Sequence, residues 1–172
     1  MKRFLKYMIG VALLITGSIL AIQTIQAYQT KNEIRDRIQT LQHCCFESLN
    51  GGQVFLDEFD PKKSTVLIYF HPECEHCQYE ASEIGMQADR FERANMILIT
   101  PDDSFKRVEA FAIRYHLWEV DNLTILLDRK NQFKKQFGNS PFPSVFIYGV
   151  DKKLVKMFKG ETQTNAIINS IN

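Results

Sequence analysis

Residues 65–80 read TVLIYFHPECEHCQYE, and the fold turns on how this stretch divides. Thr65 to Phe70 is a continuous run of β-branched, aliphatic and aromatic residues, the pattern of a strand buried on both faces. Beyond it Ala81, Ile84, Ala88 and Phe91 fall on one stripe, which predicts an amphipathic helix over 75–92. Cys74 and Cys77 therefore lie where a buried strand gives way to a helix. That placement says more than the spacing of the two cysteines alone.

The chemistry follows from the placement. A thiolate is the nucleophile in disulfide exchange, and an ordinary cysteine titrates near ~8.5, so it is mostly protonated at neutral pH. Cys74 at the start of the helix meets unpaired N–H groups and the positive end of the helix dipole, which favour its thiolate. His76, when protonated, adds a second positive charge, while the Glu73 carboxylate opposes it. Cys77 lies three residues on, facing the same side one turn deeper, so Cys74 is expected to attack and Cys77 to resolve.

Other readings of the stretch carry different chemistry. His71, Cys74, His76 and Cys77 could clamp zinc or copper, but four ligands split across a strand end and a helix start converge poorly. The two cysteines could also form a permanent structural disulfide in a non-catalytic binding module. Gln78 after Cys77 does not suit covalent haem attachment. His71 stands where a Thr-x-x-Cys peroxidatic pattern needs threonine. We expect no cofactor and no bound metal.

Outward from this stretch, strands and helices alternate. Asn50-Gly51-Gly52 is a hairpin signal between Cys45-Phe46 and Val54-Phe55-Leu56. Met96–Thr100 and Leu123–Leu127 read as strands. Asp103 or Ser104 caps a helix through about Tyr115, with Phe105, Val108, Ala112 and Tyr115 facing inward. Asn131–Phe137 is a short helix closed by Gly138. SVFIY (144–148) and LVKMF (154–158) flank a turn as an antiparallel pair, and a helix over 162–171 ends the chain. This order predicts an α/β fold with a mixed sheet between helices. Trp118 and the phenylalanines are expected in the core.

The first residues have a different character. Lys2, Arg3 and Lys6 precede a stretch without charge from Tyr7 to Thr30, as in a transmembrane anchor or a secretory signal. Ala27 could end a cleaved signal, but Ile25 is bulky for the position two before it, so an uncleaved anchor over 1–27 is expected. Residues 28–43 read as a helical stalk and 44–172 as the folded domain. The basic start places the N-terminus in the cytoplasm and the domain outside. Over 172 residues the net charge is +1, which offers no basic footprint for nucleic acid. Outside the cytoplasm thiols are held oxidised unless actively reduced, which favours a redox role for the cysteines. Cys44 and Cys45 admit several readings: apolar fillers of the first strand, a second redox relay, or an intermolecular link. His43 and His116 read as surface or packing residues.

Together, LNGG with VFLDEF, the strand-CxxC-helix unit, Glu80 three after the second cysteine, and PSVFIYGVDKKLVKMFKG resemble the thioredoxin superfamily. The likeness is to its membrane-anchored TlpA/ResA-like, redoxin (AhpC-TSA-type) branch of thiol-disulfide oxidoreductases, over roughly 44–172. The resemblance implies a thioredoxin-like three-layer sandwich with an N-terminal β-hairpin extension. It also implies a cis peptide before Pro143, a substrate-pairing backbone at Phe142, and a Glu80 that assists proton transfer from Cys77. The chain departs from the pattern at Glu73, where many members have tryptophan, and at Ile68, where thioredoxin has a buried aspartate. The Cys-x-His-Cys pattern is similar to that of strongly oxidising members, and the rest of the chain to reducing ones. The expected partners are exported proteins carrying thiols or disulfides, and a membrane protein that returns electrons. The expected location is a bacterial cytoplasmic membrane, crossed once, with the redox domain facing the periplasm or exterior.

Overall fold

The computed structural model describes residues 2–171, and the chain divides between Asp36 and Arg37 into two units. In the larger unit, strand β3 (Ser64–Tyr69) is buried along its whole length and lies at the centre of the sheet. It pairs in parallel with β4 (Ala94–Thr100), which pairs in parallel with β5 (Leu123–Leu127). On its other side β6 (Ser144–Tyr148) runs antiparallel to β3, and β7 (Leu154–Lys159) antiparallel to β6. The hairpin of β1 (Cys45–Ser48) and β2 (Gln53–Phe55) extends the sheet beyond β5, giving the order β2-β1-β5-β4-β3-β6-β7.

Alternation along the central strands assigns the two faces. Val66, Ile68, Met96, Leu98, Ile125, Val145 and Ile147 form one apolar cluster with helix α2 (Glu75–Met86), helix α3 (Phe105–Arg114) and helix α5 (Thr164–Ile168). On the other face helix α4 (Gln132–Phe137) places Phe133 against Tyr69, with ring centroids 4.0 Å apart, and Phe137 against Phe146 at 5.2 Å. Helices on both faces of a mixed sheet make the three-layer, thioredoxin-like α/β sandwich.

Several elements differ from the sequence reading, each for a local reason. Helix α2 stops at Met86, and Ala88–Phe91 forms a separate 3₁₀ turn after Gln87 leaves helical geometry (φ −121°, ψ 26°). A Cβ at Gly85 would lie 2.0 Å from the Tyr115 carbonyl oxygen, so the helix end needs glycine to seat against that backbone. Gly85→Ala is expected to destabilise the fold by about 2–3 kcal/mol, read as a lowered denaturation midpoint, because the obstructing atom belongs to backbone.

Phe105 and Trp118 are exposed rather than core, on the first turn of α3 and on a 3₁₀ turn. The closing helix is only Thr164–Ile168. The segment expected as stalk to residue 43 is not helical past Arg37. Ile38 and Leu41 are buried instead. The Tyr148 hydroxyl donates to the Ile38 carbonyl at 3.1 Å, Leu41 N–H to Lys152, and Leu154 N–H to Gln39. Those bonds tie residues 38–41 to the turn between β6 and β7, which a continuing helix could not make.

The smaller unit is the body of helix α1 (Lys2–Arg37). From Lys6 it is the one helix among the described residues long and apolar enough to cross a membrane. Leu13, Leu14, Ile19 and Leu20 are exposed along it. A hydrocarbon core of about 30 Å needs only about 20 helical residues.

Candidate active site at the start of helix α2

The turn His71–Cys74 carries the chain from β3 into α2 and is fixed by its own hydrogen bonds. Cys74 N–H donates to the His71 carbonyl at 3.0 Å, and Gln78 Nε2 donates to the Pro72 carbonyl at 2.8 Å. Cys74 is the N-cap of α2, in extended geometry (φ −82°, ψ 118°), and its side chain makes no capping bond. Its thiol is not spent on the helix end, and the residue is half-buried.

Its neighbour is the turn before β6. The Phe142–Pro143 peptide is cis, and Cys74 Sγ lies 3.7 Å from the Phe142 carbonyl oxygen. The Phe142 ring packs near Tyr69 and His71, with centroids 4.9 and 5.7 Å away. Cys74, Phe142 and Pro143, distant in sequence, are thus brought to one place.

Cys77 is buried beneath this surface, and burial pushes its thiol up, with its contact to Cys74 adding to the effect. Both thiols are free, as are Cys44 and Cys45. One turn further along α2, Glu80 is only 1% exposed, unlike an ordinary solvated glutamate of a helix. Burial raises its carboxyl to about 7, against the lowering effect of a hydrogen bond from Thr162 N–H to Oε2 at 3.1 Å, and the Glu161 charge adds to the rise. Glu80 Oε1 is buried without a hydrogen-bond partner among the described residues. Cys77, Glu80 and Pro143 border one small void of about 10 Å³.

His76 has a carboxylate partner of its own. It is exposed, and its Nδ1 lies 2.6 Å from Glu161 Oε2. His71 Nε2 lies 3.8 Å from Asp102 Oδ2. The two imidazoles are thus engaged by different carboxylates, and no group of three or more His, Cys, Asp or Glu gathers for a metal among the described residues.

Glu73, whose charge would hinder a Cys74 thiolate, pairs with Arg107 Nη1 at 3.4 Å. Arg107 also donates to buried Asp102. Burial pushes the Asp102 carboxyl up, but hydrogen bonds from Arg107 and Ser104 outweigh it and hold the group below the usual range. Asp102, Arg107, Glu161 and Thr162 were not legible as site residues. Each lies far from the CxxC in sequence and carries no motif of its own.

Cys44 is buried and its thiol is pushed up to about 12 by burial and by nearby Cys45, Asp57 and Asp128. Cys45 lines a separate cavity of about 150 Å³ with Glu47, Arg129 and Gln132. His43 stacks on Phe55 and pairs with Asp57 at 2.8 Å, and His116 pairs with Glu119.

Comparison with known proteins agrees with this architecture. The chain is 22% identical to thiol-disulfide oxidoreductase ResA of Bacillus thuringiensis subsp. konkukian over 162 residues, covering 93% of this chain and 90% of that protein. A secreted disulfide oxidoreductase of Mycobacterium tuberculosis superposes with a TM-score of 0.65 at 17% identity, over 78% of this chain and 96% of the other. StoA of Bacillus subtilis superposes with a TM-score of 0.59 at 14% identity, over 77% and 98%. Residues 38–157, from the buried Ile38 through most of β7, match the AhpC/TSA family, and the chain belongs to that family.

Proposed function

We propose that the protein is a thiol-disulfide oxidoreductase working through Cys74 and Cys77 on exported proteins. The observation that carries this is the arrangement at the start of α2. An uncapped, half-buried Cys74 stands 3.7 Å from the backbone of the Phe142–Pro143 turn, with buried Cys77 below it and buried Glu80 one turn on.

The Cys74 thiolate attacks one sulfur of a substrate disulfide, forming a mixed disulfide and releasing the other sulfur as thiolate. Cys77 gives its proton to the Glu80 carboxylate, whose unpartnered Oε1 can accept it. The Cys77 thiolate then attacks Cys74 Sγ, forming the Cys74–Cys77 disulfide and releasing the second substrate thiolate. Two electrons pass to the substrate, and the reverse sequence returns them. Phe142 and Pro143 hold an extended substrate segment beside Cys74 by backbone pairing. His76 acts on the charge around Cys74.

Helix α1 anchors the protein in a bacterial cytoplasmic membrane, with residues 1–27 as the spanning part and the redox domain on the outer side. The charge at Lys2, Arg3 and Lys6 supports that orientation. A reductant held there needs a membrane partner to renew its dithiol, because its surroundings are oxidising. ResA, the relative named above, supports the reaction class.

The test is a redox titration of the full chain in detergent, equilibrated in graded thiol buffers, with free cysteines counted by alkylation and mass spectrometry. We expect Cys74 and Cys77 to pair with each other while Cys44 stays alkylatable after unfolding. With His76 engaged by Glu161, the midpoint should fall toward thioredoxin's, about −270 mV, rather than the about −120 mV of a strong oxidant. Failure of Cys74 and Cys77 to pair at any poise would favour a binding module.

A further inference from the structure

The segment after β7 touches the candidate site at three points. Gly160, at φ 88°, donates its N–H to the Pro143 carbonyl at 2.8 Å. Glu161 Oε2 lies 2.6 Å from His76 Nδ1. Thr162 donates its N–H to Glu80 Oε2 at 3.1 Å. Three consecutive residues therefore hold the cis-proline turn, the first turn of α2 and the buried carboxylate. Of these three residues Glu161 is the charged one, and its side chain is 41% exposed against 68% for His76. A pair so exposed contributes little to folding, so its removal perturbs the local charge more than the structure.

We propose that Glu161 is a positioning residue for Cys74: by engaging the His76 imidazole it cancels the positive charge His76 would otherwise place beside the Cys74 thiolate. This rests on Cys74 being the nucleophile. With Glu161 present, a protonated His76 belongs to a neutral pair. With glutamine there, the imidazolium is uncompensated and lies within a Debye length of the sulfur, two residues away on the same turn. Glutamine carries no charge, so the turn gains one unit of positive charge over wild type whichever protonation state His76 holds, and salt screens that difference.

The effect therefore has a salt signature that a packing change lacks. The other charged groups around the turn are common to wild type and the variant. They are Glu73 with Arg107 of α3, His71 with Asp102, Glu75 beside Cys74, buried Glu80, and Lys159 at the end of β7. Phe142 and Pro143, on the facing turn, are uncharged. Glu161 also raises the Glu80 carboxyl, which acts on the Cys77 step and not on alkylation of Cys74.

The test follows carbamidomethylation of Cys74 in the reduced full chain in detergent, by peptide mass spectrometry, at about pH 5.5 over a range of salt concentrations. Glu161→Gln is expected to react roughly 3- to 10-fold faster than wild type in low salt and to converge with it near about 1 M salt. Glu161→Asp should stay near wild type. Adding His76→Asn to Glu161→Gln should abolish the excess. Superposed wild-type and Glu161→Gln profiles would overturn the proposal, as would an excess that survives the loss of His76. Turnover of a disulfide substrate is measured on the same samples. If it persists and depends on Cys74 while the profiles coincide, only the role of Glu161 fails. If turnover is independent of Cys74, the assignment of the nucleophile fails.

Discussion

Cys74→Ser is expected to lower disulfide-exchange turnover by about three orders of magnitude or more, with the thermal midpoint nearly unchanged. Loss of a nucleophile removes the covalent route entirely, and such losses are typically this large. The fold should tolerate the change. Cys74 is half-buried, its side chain makes no capping bond, and serine is itself a favoured N-cap residue. None of the three remaining cysteines can take over: Cys77 is buried and its thiol is pushed up by burial. Cys44 is buried with its thiol pushed up to about 12, and Cys45 lines a different cavity. Turnover of an insulin-like disulfide protein, followed alongside circular dichroism, checks both halves. Activity retained within tenfold of wild type would remove Cys74 from the mechanism.

Glu80→Gln is expected to slow the Cys77-dependent step at pH 7.5 by about 10²-fold, the lower range for loss of a general acid–base group. Its pH dependence has a definite sign. Glu80 accepts a proton only as carboxylate, and its carboxyl titrates at about 7. The wild-type rate should therefore rise with pH and level off above about 7, and that limb should vanish in the glutamine variant.

The same group makes a stability prediction of opposite slope. Its folded value lies above the ordinary 4.5, so the folded state binds the proton more tightly than the unfolded state. Stability from this residue is complete below about pH 4.5 and is lost as pH rises through about 7, on the order of 3 kcal/mol in all. Asp128, also raised by burial, contributes in the same direction. The comparison is thus wild type against Glu80→Gln, in denaturant titrations from pH 5 to 8. The decline should flatten in the variant. Equal declines would mean that Glu80 is ionised in the fold across this range.

The sequence made the strands and the cysteine-bearing helix legible because their signals are local. TVLIYF carries its burial in consecutive residues, and α2 carries it in Ala81 and Ile84. The end of α2 was not legible. It depends on the Tyr115 carbonyl reaching Gly85, a contact across 30 residues that the continued stripe of Ala88 and Phe91 masks. Residues 38–41 misled in the same way, since Ile34, Ile38 and Leu41 have helical spacing but Ile38 and Leu41 are held by bonds to β6 and to the turn that follows it. Trp118 was assigned to the core by composition and Phe105 by helical spacing, and neither registers that short 3₁₀ turns and first helical turns expose side chains.

In the site, the placement of Cys74 and Cys77 between strand and helix was readable from the local pattern, and the cis turn at Pro143 from the family resemblance. The charges that surround Cys74 were not. His76 alone suggests an activating cation, but Glu161, 85 residues away, engages it. Glu73 alone suggests an inhibiting anion, but Arg107, 34 residues away, pairs with it. Both effects of the nearest neighbours are reduced by residues the local sequence does not contain.

The most direct test of the account is the peptide map of a trapped intermediate. The full-length Cys77→Ser protein is incubated in detergent with a disulfide-bearing protein, acid-quenched and digested without reductant. The account predicts a mixed disulfide through the Cys74 peptide, accumulating toward one per chain and absent when Cys74 is also serine. A substrate joined through Cys45, or no adduct at all, would contradict it.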